Sequence, residues 1–208
     1  MLTQILAEEL PSLKMDELKE ISVSLLKSAS NLFRLLENLF QWASMSQGIM
    51  VFNPKVIQLE LIIDESLDMI RESAKSKDIE IVKEISPNLS VYADTNMFHS
   101  VVRNLVSNAV KFTKRGGKIS ISAWATDAKT IKIAVKDSGI GMSPDMIADL
   151  FRLDVKTNRI GTEGESSTGL GLLLCKDFIE KNMGKLWVES EVDKGSTFYF
   201  TIPCKTEL

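Results

Sequence analysis

Between Met15 and Ser46 the sequence holds neither glycine nor proline, and its apolar residues recur at alternating steps of three and four. That spacing predicts one long helix. One apolar row runs Leu18, Ile21, Leu25, Leu32, Leu35, Leu39 and Trp42, interrupted by Ser28; a second, Leu26, Phe33, Leu36 and Phe40, lies beside it. A helix with two adjacent apolar rows is too sticky to stand alone in water and suits a multi-helix bundle. Leu2 to Leu10 read as the tail of a preceding helix, with the turn starting at Pro11-Ser12. Residues 1–48 are therefore expected to form a helical hairpin whose first arm has only about three turns. So short a hairpin buries too little by itself. This predicts a homodimer through the hairpin and a shortened first arm.

Gly48 closes the long helix, and a different style of sequence begins at Phe52-Asn53-Pro54. Helical periodicity covers Leu59 to about Ser76, strand alternation Ile79 to Ile85, and a helix capped by Asp94-Thr95 runs to Phe112. Strands follow at Lys118 to Ala125 and Thr130 to Lys136. After a glycine-rich corner and a short helix comes a polar stretch, Arg152 to Thr168. A helix from about Gly169 to Asn182 and a strand pair, Lys185 to Ser190 and Ser196 to Ile202, end the chain. Helices interleaved with several antiparallel strands indicate a two-layer α/β sandwich over residues 52–204, not a doubly wound parallel fold.

Composition excludes several classes of function. A net charge of -3 over 208 residues provides no surface for a polyanion, so no nucleic-acid partner is expected. No apolar run approaches the ~18 residues of a membrane span, and the start lacks a signal-peptide pattern. No membrane contact is expected from this stretch, although a longer parent protein could be anchored. Cys175 and Cys204 lack metal-ligand spacing and read as reduced thiols of a cytoplasmic protein.

Three clusters could carry chemistry. Asn104, Asn108 and Lys111 share one helix face, where two carboxamides and an ammonium group could hold a hydrated Mg²⁺ and phosphate oxygens. Taken alone, the pattern favours a solvated polar stripe. Asp137-Ser138-Gly139-Ile140-Gly141 follows an alternating strand. A carboxylate there can accept from an adenine amino group while the glycines allow close backbone approach, but an ordinary turn uses the same residues. Thr168-Gly169-Leu170-Gly171 opens a helix whose N–H groups suit a triphosphate, or it is simply a glycine-rich helix start.

In this order the clusters resemble the N, G1 and G2 boxes of the histidine-kinase-type ATPase domain, whose relatives include gyrase, the Hsp90 chaperones and the MutL proteins. Leu150-Phe151 is similar to the F box and Gly195-Ser196-Thr197-Phe198 to the closing G3 element. The likeness covers roughly Phe52 to Pro203, and the preceding helix resembles the second arm of a dimerisation and phosphotransfer hairpin. It implies a Bergerat-type fold binding ATP and Mg²⁺. Asn108 would be the metal ligand, Asn104 its polar helper, and Lys111 a phosphate contact. Phe112 and Thr197 would lie near the adenine, and Asp137 would read its amino group over a floor shaped by Gly139 and Gly141. Thr168, Gly169, Leu170 and Gly171 would border the phosphates. Arg152 to Thr168 would form a mobile lid beside Phe151, with Lys156 and Arg159 as the cations best placed to reach the γ-phosphate. The family usually has a further glycine where this chain has Ser167. If that position needs φ > 0, serine costs on the order of 1 kcal/mol there.

Hydrolysing relatives resemble one another in a glutamate four residues before the metal-binding asparagine, as general base. Asn104 stands in that place and cannot take a proton usefully, which argues for transfer to an external nucleophile. The resemblance implies a sensor histidine kinase, with a response-regulator receiver domain as partner. The alternatives are an anti-sigma-type serine kinase, which lacks such a bundle helix, or a catalytically degenerate nucleotide-binding module. The single histidine, His99, lies inside the ATP domain without the acceptor's acidic and proline followers. The acceptor is expected upstream of Met1, so this chain should bind Mg·ATP without phosphorylating itself.

Overall fold

The computed structural model describes residues 14–204 apart from Ile49, Ala128, Leu153, 156–158 and 166–168. The expected first hairpin arm therefore lies outside the described residues. The chain divides into two compact units between Met50 and Val51.

The first unit contains helix α1 (Met15–Ser46). The Lys14 N–H before it donates to Glu17 Oε2 at 2.8 Å, satisfying one of the donors a helix start leaves open. Gln47 caps the other end, and Gly48 follows at φ 68°. Leu26, Phe33, Leu36 and Phe40 are all exposed along this helix, as are Leu32 and Leu39.

The second unit begins with β1 (Pro54–Gln58), α2 (Leu59–Ser76), β2 (Glu80–Ile85), β3 (Ser90–Asp94) and α3 (Thr95–Phe112). It continues through β4 (Lys118–Ala125), β5 (Thr130–Asp137), α4 (Pro144–Asp149), α5 (Leu170–Lys181), β6 (Leu186–Glu191) and β7 (Gly195–Pro203). Five strands form a mixed sheet in the order β2-β4-β5-β7-β6, in which only β2 and β4 run parallel. The α/β sandwich expected from the sequence is present. A separate antiparallel pair, β1 with β3, was not legible in the sequence. Its strands are five residues each, and Pro54 and the nearby Pro87-Asn88 turn suggest loop instead.

One face of the large sheet meets the helices. Ile119 and Ile121 of β4, Ile131 and Ile133 of β5, and Phe200 and Ile202 of β7 are buried there. From the helices come Ile62, Ile63 and Leu67 of α2, Phe98, Val101 and Leu105 of α3, and Leu174 and Phe178 of α5. Phe98 and Phe200 meet edge to face at 5.9 Å, pinning the middle helix to β7. Among the described residues, no helix is long and apolar enough to cross a membrane.

Candidate nucleotide-binding site

Helix α3 organises the site. Asp94 caps its start: Oδ1 accepts from the N–H groups of Asn96 and Met97 at 3.1 Å each, and Oδ2 from Asn53 at 2.9 Å. With its apolar side buried, the helix leaves Asn104 and Asn108 half-buried on another face and Lys111 buried near its end. Asn104 Nδ2 donates to the Ser100 carbonyl at 2.9 Å, which orients its amide. Its Oδ1 lies 3.0 Å from where a Cβ on Gly171 would stand, so the first turn of α5 approaches α3 closely because that residue is glycine. The Lys111 ammonium sits 5.1 Å from the Phe112 ring centre. At the helix end, the Phe112 carbonyl accepts from Ile140 N–H at 3.1 Å. A Cβ on Gly139 would fall 2.3 Å from the same oxygen, so this turn closes only with glycine. Residues of all three sequence clusters thus meet along one helix.

Asp137 ends β5 and is buried. Its Oδ1 accepts from Gly139 N–H at 2.8 Å and Ser196 N–H at 3.2 Å. Burial pushes its carboxyl up from the ordinary 3.8 to about 6, against the pull of those two backbone bonds. Gly141, at φ 57°, carries the chain out of this turn, and Gly169, at φ 74°, caps α5 ahead of the half-buried Leu170.

The expectation for Thr197 needs correction. Register pairs Asp137 with Ser196, and Lys136 with Thr197. Successive side chains on a strand point to opposite faces, so Thr197 lies on the sheet face turned away from Asp137. Ser196, buried and bonded to Asp137, occupies the position beside it, and its hydroxyl is 2.9 Å from that of Ser190. Strand parity counted from Asp137 would have found Ser196 once the pairing was known.

The segment expected to form a lid is hydrogen-bonded to the rest of the domain where the structure describes it. Arg159 Nη1 donates to the Gly141 carbonyl, joining the lid to the turn after β5. Phe151 is half-buried, 5.9 Å from the Lys176 ammonium. Thr162 N–H donates to the Lys111 carbonyl at 3.0 Å, and Glu165 Oε1 accepts from the buried Lys77 at 2.8 Å. Sequence reading missed Lys77 and Glu165, which are 88 residues apart. Burial works to raise the Glu165 carboxyl, but hydrogen bonds from Lys77 and from the Glu163 N–H outweigh it and hold it below the usual range. Lys156, Ser167 and Thr168 lie outside the described residues. His99 is engaged elsewhere: Nδ1 is 2.9 Å from Ser66 Oγ and Nε2 is 3.1 Å from Glu65 Oε2, linking α3 to α2.

An α/β sandwich whose central helix meets one glycine turn at Asn104 and another at the Phe112 carbonyl, with a buried carboxylate nearby, defines a nucleotide-binding class of domain. A family model described as histidine kinase-, DNA gyrase B-, and HSP90-like ATPase matches residues 93–206, and the chain belongs to that family. The adaptive-response sensory kinase SasA of Synechococcus elongatus is 29% identical over 171 residues, 82% of this chain and 44% of the relative. The chain thus spans less than half the length of that relative. The catalytic domain of histidine kinase ThkA superposes with a TM-score of 0.63 at 29% identity, covering 74% of this chain and 96% of that one. Full-length ShkA in complex with AMPPNP superposes at 0.75 and 25% identity, covering 94% of this chain and 40% of that one.

Proposed function

We propose that this chain is the ATP-binding catalytic region of a sensor histidine kinase, donating the γ-phosphoryl group to a histidine outside this sequence for transfer to a response-regulator aspartate. The observation that carries the reading is the convergence of Asn104, Gly171, Lys111 and the Gly139 turn on α3. The glycine cradle and the neutral oxygen donors fit Mg·ATP: Gly171 keeps the space beside Asn104 Oδ1 free of side chain, and Asn108 follows one turn along the same face. In this reading Asn108 holds the Mg²⁺, which supplies charge neutralisation for the phosphates when bound. Asp137 receives the adenine amino group through Oδ2, because both of its protein hydrogen bonds fall on Oδ1. Ser196 replaces Thr197 as the G3 residue beside the base. Phe112 and Phe151 flank the site, Lys111 meets phosphate, and the α5 start from Gly169 offers its N–H groups to the same anion.

Asn104 supplies no general base, which supports delivery to a nucleophile over hydrolysis. His99 is bonded on both ring nitrogens within the ATP domain, so this chain is not expected to label itself on histidine. The exposed rows of α1 support a homodimer through the helical region, and an ATP-dependent site supports a cytoplasmic location. Residues 1–48 and 52–204 are the proposed dimerisation and catalytic regions. Titration with an ATP analogue tests the core of this reading. Mg²⁺-dependent binding that is lost in Asn108→Ala is expected; binding indifferent to both would leave a degenerate module. Acid-labile phosphate on this polypeptide after incubation with ATP would overturn the claim about His99.

A further inference from the structure

Lys77 follows the last residue of α2, and its side chain is only 3% exposed. Its ammonium donates to the carbonyls of Val110 and Lys111 at 3.0 and 3.2 Å, to Thr162 Oγ1 at 2.7 Å and to Glu165 Oε1 at 2.8 Å. The two carbonyls belong to the last turn of α3, where the negative end of the helix favours a cation. The two side chains belong to the lid. One buried charge therefore joins a helix end to a turn far away in sequence.

That turn is held by polar contacts alone. Residues Gly161-Thr162-Glu163-Gly164-Glu165 contain no apolar side chain beyond the threonine methyl, so burial of hydrocarbon cannot seat them. Internally, Gly161 N–H donates to the Glu165 carbonyl and Glu163 N–H to Glu165 Oε2, both at 2.8 Å. Toward α3, Thr162 reaches the Lys111 carbonyl from its N–H at 3.0 Å, and its hydroxyl donates to the Thr113 carbonyl at 2.9 Å. Arg115 pairs with Glu163 at 2.9 Å on the exposed side, where screening leaves such a pair little weight. Gly161 in turn lies against the lysine stem of the site: a Cβ on it would stand 2.6 Å from Lys111 Cγ.

We propose that Lys77 is a positioning residue for the triphosphate end of the site, seating the Gly161–Glu165 turn on the end of α3 and through it the side chain of Lys111. The inference rests on reading Lys111 as a phosphate contact. An ion pair with one buried and one half-buried partner adds little net stability for its desolvation cost, whereas placing a turn is a task it performs well. Without Lys77, two helix-end carbonyls, a hydroxyl and a carboxylate lose a common donor at once.

The test uses the whole chain with Lys77→Met and, separately, Glu165→Ala. Each is titrated by NMR with Mg·AMPPNP and with adenosine, and amide exchange is followed at Thr162. Both variants should bind the triphosphate about tenfold more weakly, keep adenosine affinity within about twofold, and lose protection at Thr162. Equal weakening for both ligands would mark a merely structural role and overturn the proposal. So would unchanged triphosphate affinity in folded Glu165→Ala, which alone decides the matter if Lys77→Met does not fold. Failure of the wild type to bind either ligand overturns the nucleotide-site reading and this inference together, and is thereby told apart from a failure of Lys77 alone.

Discussion

Asp137 carries a conflict between stability and use. Its carboxyl, raised by burial from 3.8 to about 6, binds a proton more tightly in the folded chain than in the unfolded one. The folded state therefore gains stability as pH falls through 6 toward 4 and loses it as pH rises back. A rise of that size amounts to roughly 3 kcal/mol at neutral pH, as an order of magnitude. Asp137→Asn keeps an oxygen for the Gly139 and Ser196 N–H groups and removes the buried charge. Denaturant unfolding at pH 7 should show it about 1–3 kcal/mol more stable than wild type, with the slope between pH 4 and 6 flattened. Nucleotide affinity should move the other way. Wild type should lose about tenfold between pH 7 and 5, as the ionised fraction of Asp137 falls to about a tenth. The second residue with a clear prediction is His99. Its bonds to Ser66 and Glu65 join two helices away from the glycine turns. His99→Gln should cost about 1 kcal/mol of stability and leave the analogue's dissociation constant within about twofold; loss of binding with the fold retained would contradict this placement.

Among the elements, α1 and α3 behave oppositely. Helix α3 is amphipathic and finds its partners within the chain: β5, α2 and α5 cover its apolar side. Helix α1, about 48 Å long by its 32 residues, leaves Leu26 at 70%, Phe33 at 65% and Phe40 at 73% exposure. Exposed apolar stripes of that kind are common at association surfaces, which supports the proposed dimer. Replacing Leu26 and Leu36 by glutamate should shift the chain toward monomer in analytical ultracentrifugation at micromolar concentration. Nucleotide affinity per chain should stay unchanged, because α1 belongs to the other compact unit. A dimer that survives the double substitution would remove α1 from the interface.

At the scale of the whole molecule, the division at Met50 and Val51 predicts that residues 51–208 fold alone. Their thermal midpoint should stand independent of protein concentration, with affinity for the ATP analogue within about twofold of the full chain. The sequence carried most of this architecture in local signals. Long periodic runs yielded α1, α2, α3 and α5, while alternation yielded the five strands of the large sheet. The asparagines, Asp137 and the glycine turns could be singled out as candidates because each sits in a short motif whose order is informative. The pair β1 with β3 was not, since short strands carry too little alternation to outweigh nearby turn residues. The position of Thr197 was missed for another reason: which of two adjacent residues faces a ligand depends on register, and register is a property of the pairing.

The amino-acid order by itself determined the helices, the sheet strands, the shared polar face of α3 and the glycine turns, because periodicity and backbone freedom act over a few neighbouring residues. Tertiary structure alone decided that Ser196 stands beside Asp137, that His99 is spent on Ser66 and Glu65, and that Lys77 meets Glu165 across 88 residues. Those outcomes depend on which elements pack together and how far a buried charge must reach for its partners, and neither quantity is local.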